Sequence, residues 1–151
     1  MKTHAVLLLL TLITPLASAR VGETPEQLVE RYGAIVKEKK DSESEYLTFL
    51  KGGVSINCVI RDGKTVAVLY DFFRPPSEDE IKTLLDANSG GKKWKKDTSS
   101  VFLASWVRED SVLSAIITRN SPNLLTIALD TMVREEGRKA MYSEKKKLDG
   151  F

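Results

Sequence analysis

The sequence has 151 residues, of which 23 are Lys or Arg, 21 are Asp or Glu and one is His, and its formal net charge at pH 7 is only +2. Such a small charge excludes a strong global electrostatic field and gives no support for a nucleic-acid partner or an acidic substrate. The one cysteine, Cys58, excludes an intramolecular disulfide.

The first 19 residues predict a secretory signal peptide. Lys2 supplies the positive start, residues 5–16 form an apolar run, and Ala17-Ser18-Ala19 is a small-x-small cleavage site. The apolar run is shorter than the roughly 20 residues that a membrane-spanning helix needs. We therefore expect cleavage after Ala19 and a periplasmic or extracellular mature chain, residues 20–151, without a transmembrane segment. Because His4 would leave with the signal peptide, histidine-based catalytic triads and metal sites are excluded from that mature chain.

Two stretches predict short amphipathic helices that begin in the same way. Thr24 and Ser77 are candidate N-caps, and each has a Gln or Glu three residues later, which is the spacing of a capping box. Pro25 suits the first helical position. The predicted buried faces carry Leu28 and Tyr32 in the first helix and Ile81, Leu84 and Leu85 in the second, and the expected ends are Gly33 and residues 88–91.

Three strand-like runs with alternating apolar residues follow each helix. Asp62-Gly63 is a strong hairpin signal, and Gly52-Gly53 and Ser121-Pro122-Asn123 are further predicted turns. Residues 37–45 and 90–100 are predicted to be polar linkers. The predicted strands are Tyr46–Leu50, Val54–Arg61, Thr65–Phe72, Val101–Arg108, Val112–Arg119 and Leu124–Thr131.

These elements predict one α+β domain over residues 20–151. The two half-repeats would cover about residues 22–73 and 76–131, with Pro75-Pro76 between them, since two prolines cannot continue a strand. We expect the tandem helix-plus-three-strand units to form one antiparallel sheet of about six strands with both helices on one face. Residues 132–151 form a charged tail that fits either a helix packed on the sheet or a frayed end.

The stretch GETPEQLVERYG, followed by VIRDGKTVAVLY, resembles the pattern of the SmpA/OmlA outer-membrane assembly lipoproteins and of tandem-repeat β-lactamase inhibitor proteins. The resemblance is closest over residues 22–72 and extends to small exported proteins that end in Leu-x-Gly-Phe, here residues 148–151. It implies a non-catalytic, protein-binding fold. The sequence departs from the lipoproteins in having no cysteine near the cleavage site, and Ala34 replaces a proline that often follows the helix-end glycine.

The residue types that carry catalysis form no convergent set in the sequence. Cys58 shares a strand face with Ile56 and Ile60 and is predicted to be buried; an intermolecular disulfide is the alternative. The carboxylates fall in predicted linkers, caps and the tail, where they act as surface charges or helix-dipole partners. No P-loop, GxSxG or dinucleotide motif is present. We therefore predict a non-enzymatic protein without a metal or cofactor.

The segment KKWKKD is the most function-like feature of the sequence. Lys92, Lys93, Lys95 and Lys96 flank Trp94, and a basic loop with an aromatic side chain can hold a polyanion. Residues 145–147 could add charge to it. The structural alternative is a solubilising loop whose Trp94 packs on the sheet. Trp106, in phase with Phe102 and Ala104, is predicted to lie in the core.

Two functions follow from this pattern. The first is a protein-binding or structural module of the cell envelope with an unknown protein partner, which predicts a patch of exposed apolar or aromatic residues. The second is binding of an anionic envelope polymer or lipid through Lys92, Lys93, Trp94, Lys95 and Lys96, which predicts strong salt dependence.

Overall fold

The computed structural model of the chain describes residues 20–100 and 102–135 and has an α+β fold. Two helices, α1 (Pro25–Tyr32) and α2 (Glu78–Ala87), accompany one antiparallel sheet of eight strands, and a further helical segment, α3, covers residues 130–135. The predicted signal peptide and the tail beyond residue 135, including Lys145–Lys147 and Leu148–Phe151, lie outside the described residues.

The sheet consists of two four-stranded meanders joined at the centre. Its spatial order is β1-β2-β3-β4-β8-β7-β6-β5, so that β4 pairs with β8 and the outer edges are β1 and β5. The strands are β1 (Lys37–Lys40), β2 (Glu45–Lys51), β3 (Val54–Arg61), β4 (Lys64–Asp71), β5 (Trp94–Lys96), β6 (Ala104–Arg108), β7 (Leu113–Thr118) and β8 (Ser121–Leu129).

Two predicted features of local structure are confirmed. Both helices begin with complete capping boxes, Thr24 with Gln27 and Ser77 with Glu80. The Asp62-Gly63 turn joins β3 to β4 with a positive φ at both residues (50° and 69°), the pattern of a type I′ hairpin. These sequence patterns predict the structure correctly because each depends on neighbouring residues rather than on the rest of the fold.

The expected number of about six strands is wrong, because both predicted linkers contain an edge strand. Lysine-rich segments such as KEKK of β1 and WKK of β5 lack apolar alternation, so neither resembles a strand in sequence. Lysine at an exposed edge discourages pairing with a second sheet, which explains why charged residues occupy the two edge strands, β1 and β5.

The predicted strand bounds in the second half also need correction. Ser121-Pro122-Asn123 opens β8 instead of forming a turn; Thr118 pairs with Ser121, which leaves residues 119–120 as the turn. β6 begins only at Ala104. Phe102 therefore does not follow the phase of Trp106 and packs against the residues on the opposite side of the sheet.

The main core lies between the sheet and the two helices α1 and α2. Leu28 of α1 is fully buried, and Leu85 of α2 is 6% exposed. Both helices contact the same cluster, as expected from sequence, and the sheet contributes large apolar residues from all its long strands. The fully buried members of this cluster are Leu28, Phe49, Val68, Ala115, Leu125 and Ile127.

A smaller cluster occupies the opposite face of the sheet. Val133 of α3 packs there against Ala67, Ile116 and Ala128. The Asp130 carboxylate, at the start of α3, accepts hydrogen bonds from the Ser114 hydroxyl and the Arg134 guanidinium. The two predicted helices, α1 and α2, thus contact the same face of the sheet, whereas α3 contacts the opposite face.

Candidate functional site

A groove of about 640 Å³ lies between α2 and the strands β5 and β6. The chain forms its rim immediately after α2, where Gly90 and Gly91 take φ values of 56° and 79° that favour glycine. The Lys92 amide donates to the Ser89 carbonyl (3.0 Å) and closes this turn. The turn leads into the segment Lys92–Lys96, most of which lines the groove together with residues of α2.

Trp94 forms one wall of the groove and ties it to the helix. Its indole Nε1 donates a hydrogen bond to the Leu85 carbonyl in the last turn of α2 (2.7 Å). The ring is half-buried and packs against the main core. Trp94 therefore lies in strand β5 rather than in an open loop, and its indole packs against the main core and the last turn of α2.

The alternation of β5 divides its lysines between the two faces of the sheet. Lys96 lines the groove with Trp94, whereas Lys95 lies between them in sequence and does not line it. Lys92 and Lys93 line the groove from the preceding turn. Four of the five predicted binding residues thus come together, and Lys95 is separated from them.

Trp106 is a groove residue that sequence analysis assigned to the core alone. It pairs across the sheet with Lys96, is half-buried, and both contacts the core and lines the groove. Its period-2 position could indicate burial but not the neighbouring β5, because that strand was not predicted. The other lining residues missed from sequence belong to α2 and its end: Glu78, Ile81, Lys82, Leu85, Asp86 and Ser89.

The charge of the groove is mixed but predominantly basic. Lys82 pairs with Asp86 across one turn of α2. Among residues 20–100 and 102–135, no ion pair involves Lys92, Lys93 or Lys96. Outside the groove lining, the pKa of Asp110 is held below its ordinary value mainly by the Arg108 hydrogen bond and to a smaller extent by the charge of Lys92. The groove can therefore attract an anion without first breaking an internal pair of these three lysines.

Cys58 lies in the main core, as predicted, and offers no reactive thiol. It is 1% exposed, and burial, assisted by the negative charge of Glu23, raises its pKa to about 12. A protonated, buried thiol is a poor nucleophile and a poor metal ligand. Within the described part of the chain, no group of three or more His, Cys, Asp or Glu side chains is placed to hold a metal ion.

No protein-family model matches the sequence, and neither curated proteins nor solved structures gave a significant match. The resemblance to exported envelope proteins therefore remains a prediction. Among the described helices, none combines the length and the apolar character required to cross a membrane.

Proposed function

We propose that this chain is a non-catalytic exported binding module and that the groove between α2 and β5 holds an acidic segment of a partner protein. Export is supported by the signal-peptide pattern of residues 1–19. The observation that carries the binding function is the convergence of two indoles and three lysines without ion pairs in one groove.

The composition of the groove favours a protein partner. Trp94, Trp106 and Ile81 provide apolar surface below a basic rim, and tryptophan in a recess is the side chain most often found at the energetic centre of protein interfaces. The lysines at the rim would increase the association rate and select acidic segments more than they would add affinity. An acidic peptide with apolar side chains matches both the apolar surface and the lysines of the groove.

The first experiment is capture from an envelope extract with the predicted mature chain, residues 20–151, at low and high salt. The test variant replaces Lys92, Lys93 and Lys96 with Gln. The matched control replaces Lys37, Lys39 and Lys40 of β1, which are also three exposed lysines on an edge of the same sheet. We expect only the groove variant to lose the captured protein.

A second variant separates the apolar contribution from the charge. Ile81→Asp places a carboxylate against the indoles, and we expect it to abolish capture even at low salt. Capture that is unaffected by both the lysine changes and Ile81→Asp would contradict the proposal, because the partner would then use another surface.

The second candidate is an anionic polymer or lipid of the cell envelope, favoured by the excess of lysine over carboxylate around the groove. Vesicles with and without anionic lipid, and a soluble polyanion, provide the test. Binding that disappears at high salt and with the lysine variant, but persists in Ile81→Asp, would support this candidate instead.

We further infer that the two halves are tandem repeats of one unit. The inference is supported by the same order of elements in each half, a helix with a capping box followed by a four-stranded meander. Under this inference β5 corresponds to β1, and the lysine-rich groove strand corresponds to a lysine-rich edge strand. The groove would then be a feature of the second repeat, formed where its first strand lies near its helix.

A further inference from the structure

A second cavity, of about 410 Å³, is lined by residues of α1, α2 and the strands β2, β3 and β4. It is separate from the groove between α2 and β5, and the two share no lining residue. Its walls are mainly apolar: the apolar lining residues are Tyr32, Val54, Ile56, Tyr70, Phe72 and Leu84, and the polar ones are Lys51, Asp79, Glu80 and Thr83. An apolar recess of this kind accepts a large hydrophobic side chain.

Phe73 lies beside the mouth of this cavity and is almost completely exposed. It follows the cavity residue Phe72 in sequence, and 88% of its surface is accessible. Its ring is close to the β2–β3 turn: a Cβ atom placed on Gly53 would lie 3.8 Å from Cε2 of Phe73, and Gly52 of the same turn lines the cavity. Leu50, near the end of β2, is also an exposed apolar residue, at 59%. The protein therefore presents an aromatic projection directly next to an apolar recess.

The rim of the cavity carries opposite charges on opposite elements. Lys51 ends β2, where its ammonium group donates to the Arg31 carbonyl (2.8 Å) and lies 5.8 Å from the centre of the Tyr32 ring. Asp79 is an exposed residue in the first turn of α2. Both residues line the cavity. A surface with one positive and one negative side is complementary to a copy of itself rotated by a two-fold axis.

We propose that a second copy of this chain occupies this cavity. In the resulting symmetric dimer, Phe73 of each copy inserts into the apolar recess of the other, and Lys51 of each copy faces Asp79 of the other. A second copy is favoured over a peptide or lipid because the projection, the recess and both charges lie on the same surface, as a two-fold interface requires. Arg74, beside Phe73, already pairs with Glu80 of its own chain and is left out of the contact.

The experiment is sedimentation velocity of the predicted mature chain over a concentration range from about 1 µM to about 1 mM, where weak protein dimers form. We expect a concentration-dependent shift from monomer to dimer. Phe73→Asp is expected to weaken the dimer by about 100-fold or more, as loss of a central aromatic anchor does. Because Phe73 is exposed, the variant should keep its circular dichroism spectrum and its unfolding midpoint.

A charge exchange tests the arrangement and does not depend on Phe73. Lys51→Glu alone and Asp79→Lys alone each place like charges across the interface and should be monomeric. An equimolar mixture of the two variants restores both opposite-charge contacts and should form a heterodimer. A defect in folding would not be repaired by mixing.

Three outcomes would overturn the proposal. The first is a wild-type chain that remains monomeric throughout the concentration range. The second is a dimer that is unaffected by Phe73→Asp, since it would use another surface. The third is a mixture of Lys51→Glu and Asp79→Lys that remains monomeric. Binding of the groove ligand is expected to be unchanged in Phe73→Asp, so failure of the dimer does not test the proposed function.

Discussion

The helices α1 and α2 follow one sequence pattern but pack differently. α1 buries Leu28 completely and Tyr32 to within 9% exposure, and its neighbouring Arg31–Glu23 ion pair is largely covered. α2 buries only Leu85, while Ile81 and Leu84 remain half-exposed. The difference leaves open space beside α2, and both the groove and the second cavity adjoin that helix.

This comparison indicates where the molecule separates stability from binding. A fully buried helix face contributes through burial and has no surface left for a partner. A half-buried face stabilises less, but its exposed apolar residues can be covered by another molecule. We interpret α1 as the mainly structural helix, which contributes Tyr32 to the second cavity, and α2 as the helix that borders both binding surfaces.

The largest expected effect is on core packing. Leu28→Ala should lower the free energy of unfolding by about 2–5 kcal/mol, because it removes a fully buried side chain and leaves a cavity. Leu84→Ala in α2 is the matched comparison and should cost clearly less, because the half-exposed site can collapse or admit water. Urea unfolding of both variants provides the measurement. Equal losses would contradict the distinction between the helices.

The helix caps should have nearly equal effects in spite of this difference. Thr24→Ala and Ser77→Ala each remove the hydroxyl of a complete capping box, and each should cost about 1 kcal/mol. Chemical denaturation of the two variants provides the comparison. A much smaller loss for Ser77→Ala would show that α2 contributes little to the cooperative unfolding of the domain.

A single hydrogen bond joins the Trp94 indole to α2, and its removal should have a similar or smaller effect. Trp94→Phe keeps an aromatic ring but removes the donor to the Leu85 carbonyl, which should cost about 0.5–1.5 kcal/mol. Hydrogen exchange should also show faster opening of the last turn of α2, with no change in α1. Uniformly faster exchange in both helices would contradict a local effect of the Trp94–Leu85 hydrogen bond.

The smallest expected effect is a difference in the acid response of the two caps. Hydrogen bonds from Arg74 and from Ser77 lower the pKa of Glu80 from 4.5 to about 2. Because the folded pKa is depressed, the stabilisation is present above about pH 4.5 and is lost as the pH falls toward 2. Gln27, the corresponding residue of α1, does not titrate in this range. Glu80→Gln should therefore reduce the loss of unfolding free energy between about pH 6 and pH 3, whereas Gln27→Ala should leave that loss unchanged.

Much of the fold can be predicted from sequence because its signals are local. The capping boxes, the Asp62-Gly63 hairpin and the alternation in β3 and β4 depend on residues a few positions apart. β1 and β5 cannot be predicted in the same way, because they consist largely of lysine and become strands only through pairing with β2 and β6. An edge strand adopts its extended conformation because it pairs with the neighbouring strand of the sheet. Its charged residues prevent the outer edge from pairing with another sheet.

The candidate site is predictable only in part for the same reason. The segment KKWKKD marks a basic aromatic feature, and four of its residues line the groove. The sequence does not place Trp106 opposite Lys96, nor does it bring α2 beside β5, since both relations depend on pairing between distant residues. A linear motif can thus identify one wall of a groove but not the opposite wall.

The pairing of β4 with β8 at the centre of the sheet has a consequence for biosynthesis. When the first half has left the ribosome, β4 has its partner β3, but β8 follows some fifty residues later in the chain. Until then β4, with the sequence KTVAVLYD, presents an unpaired edge whose residues 65–70 contain neither proline nor lysine, in contrast to the lysine-rich β1. The chain is therefore most prone to aggregation midway through its synthesis. When β8 has been synthesised, it pairs with β4 and covers that edge.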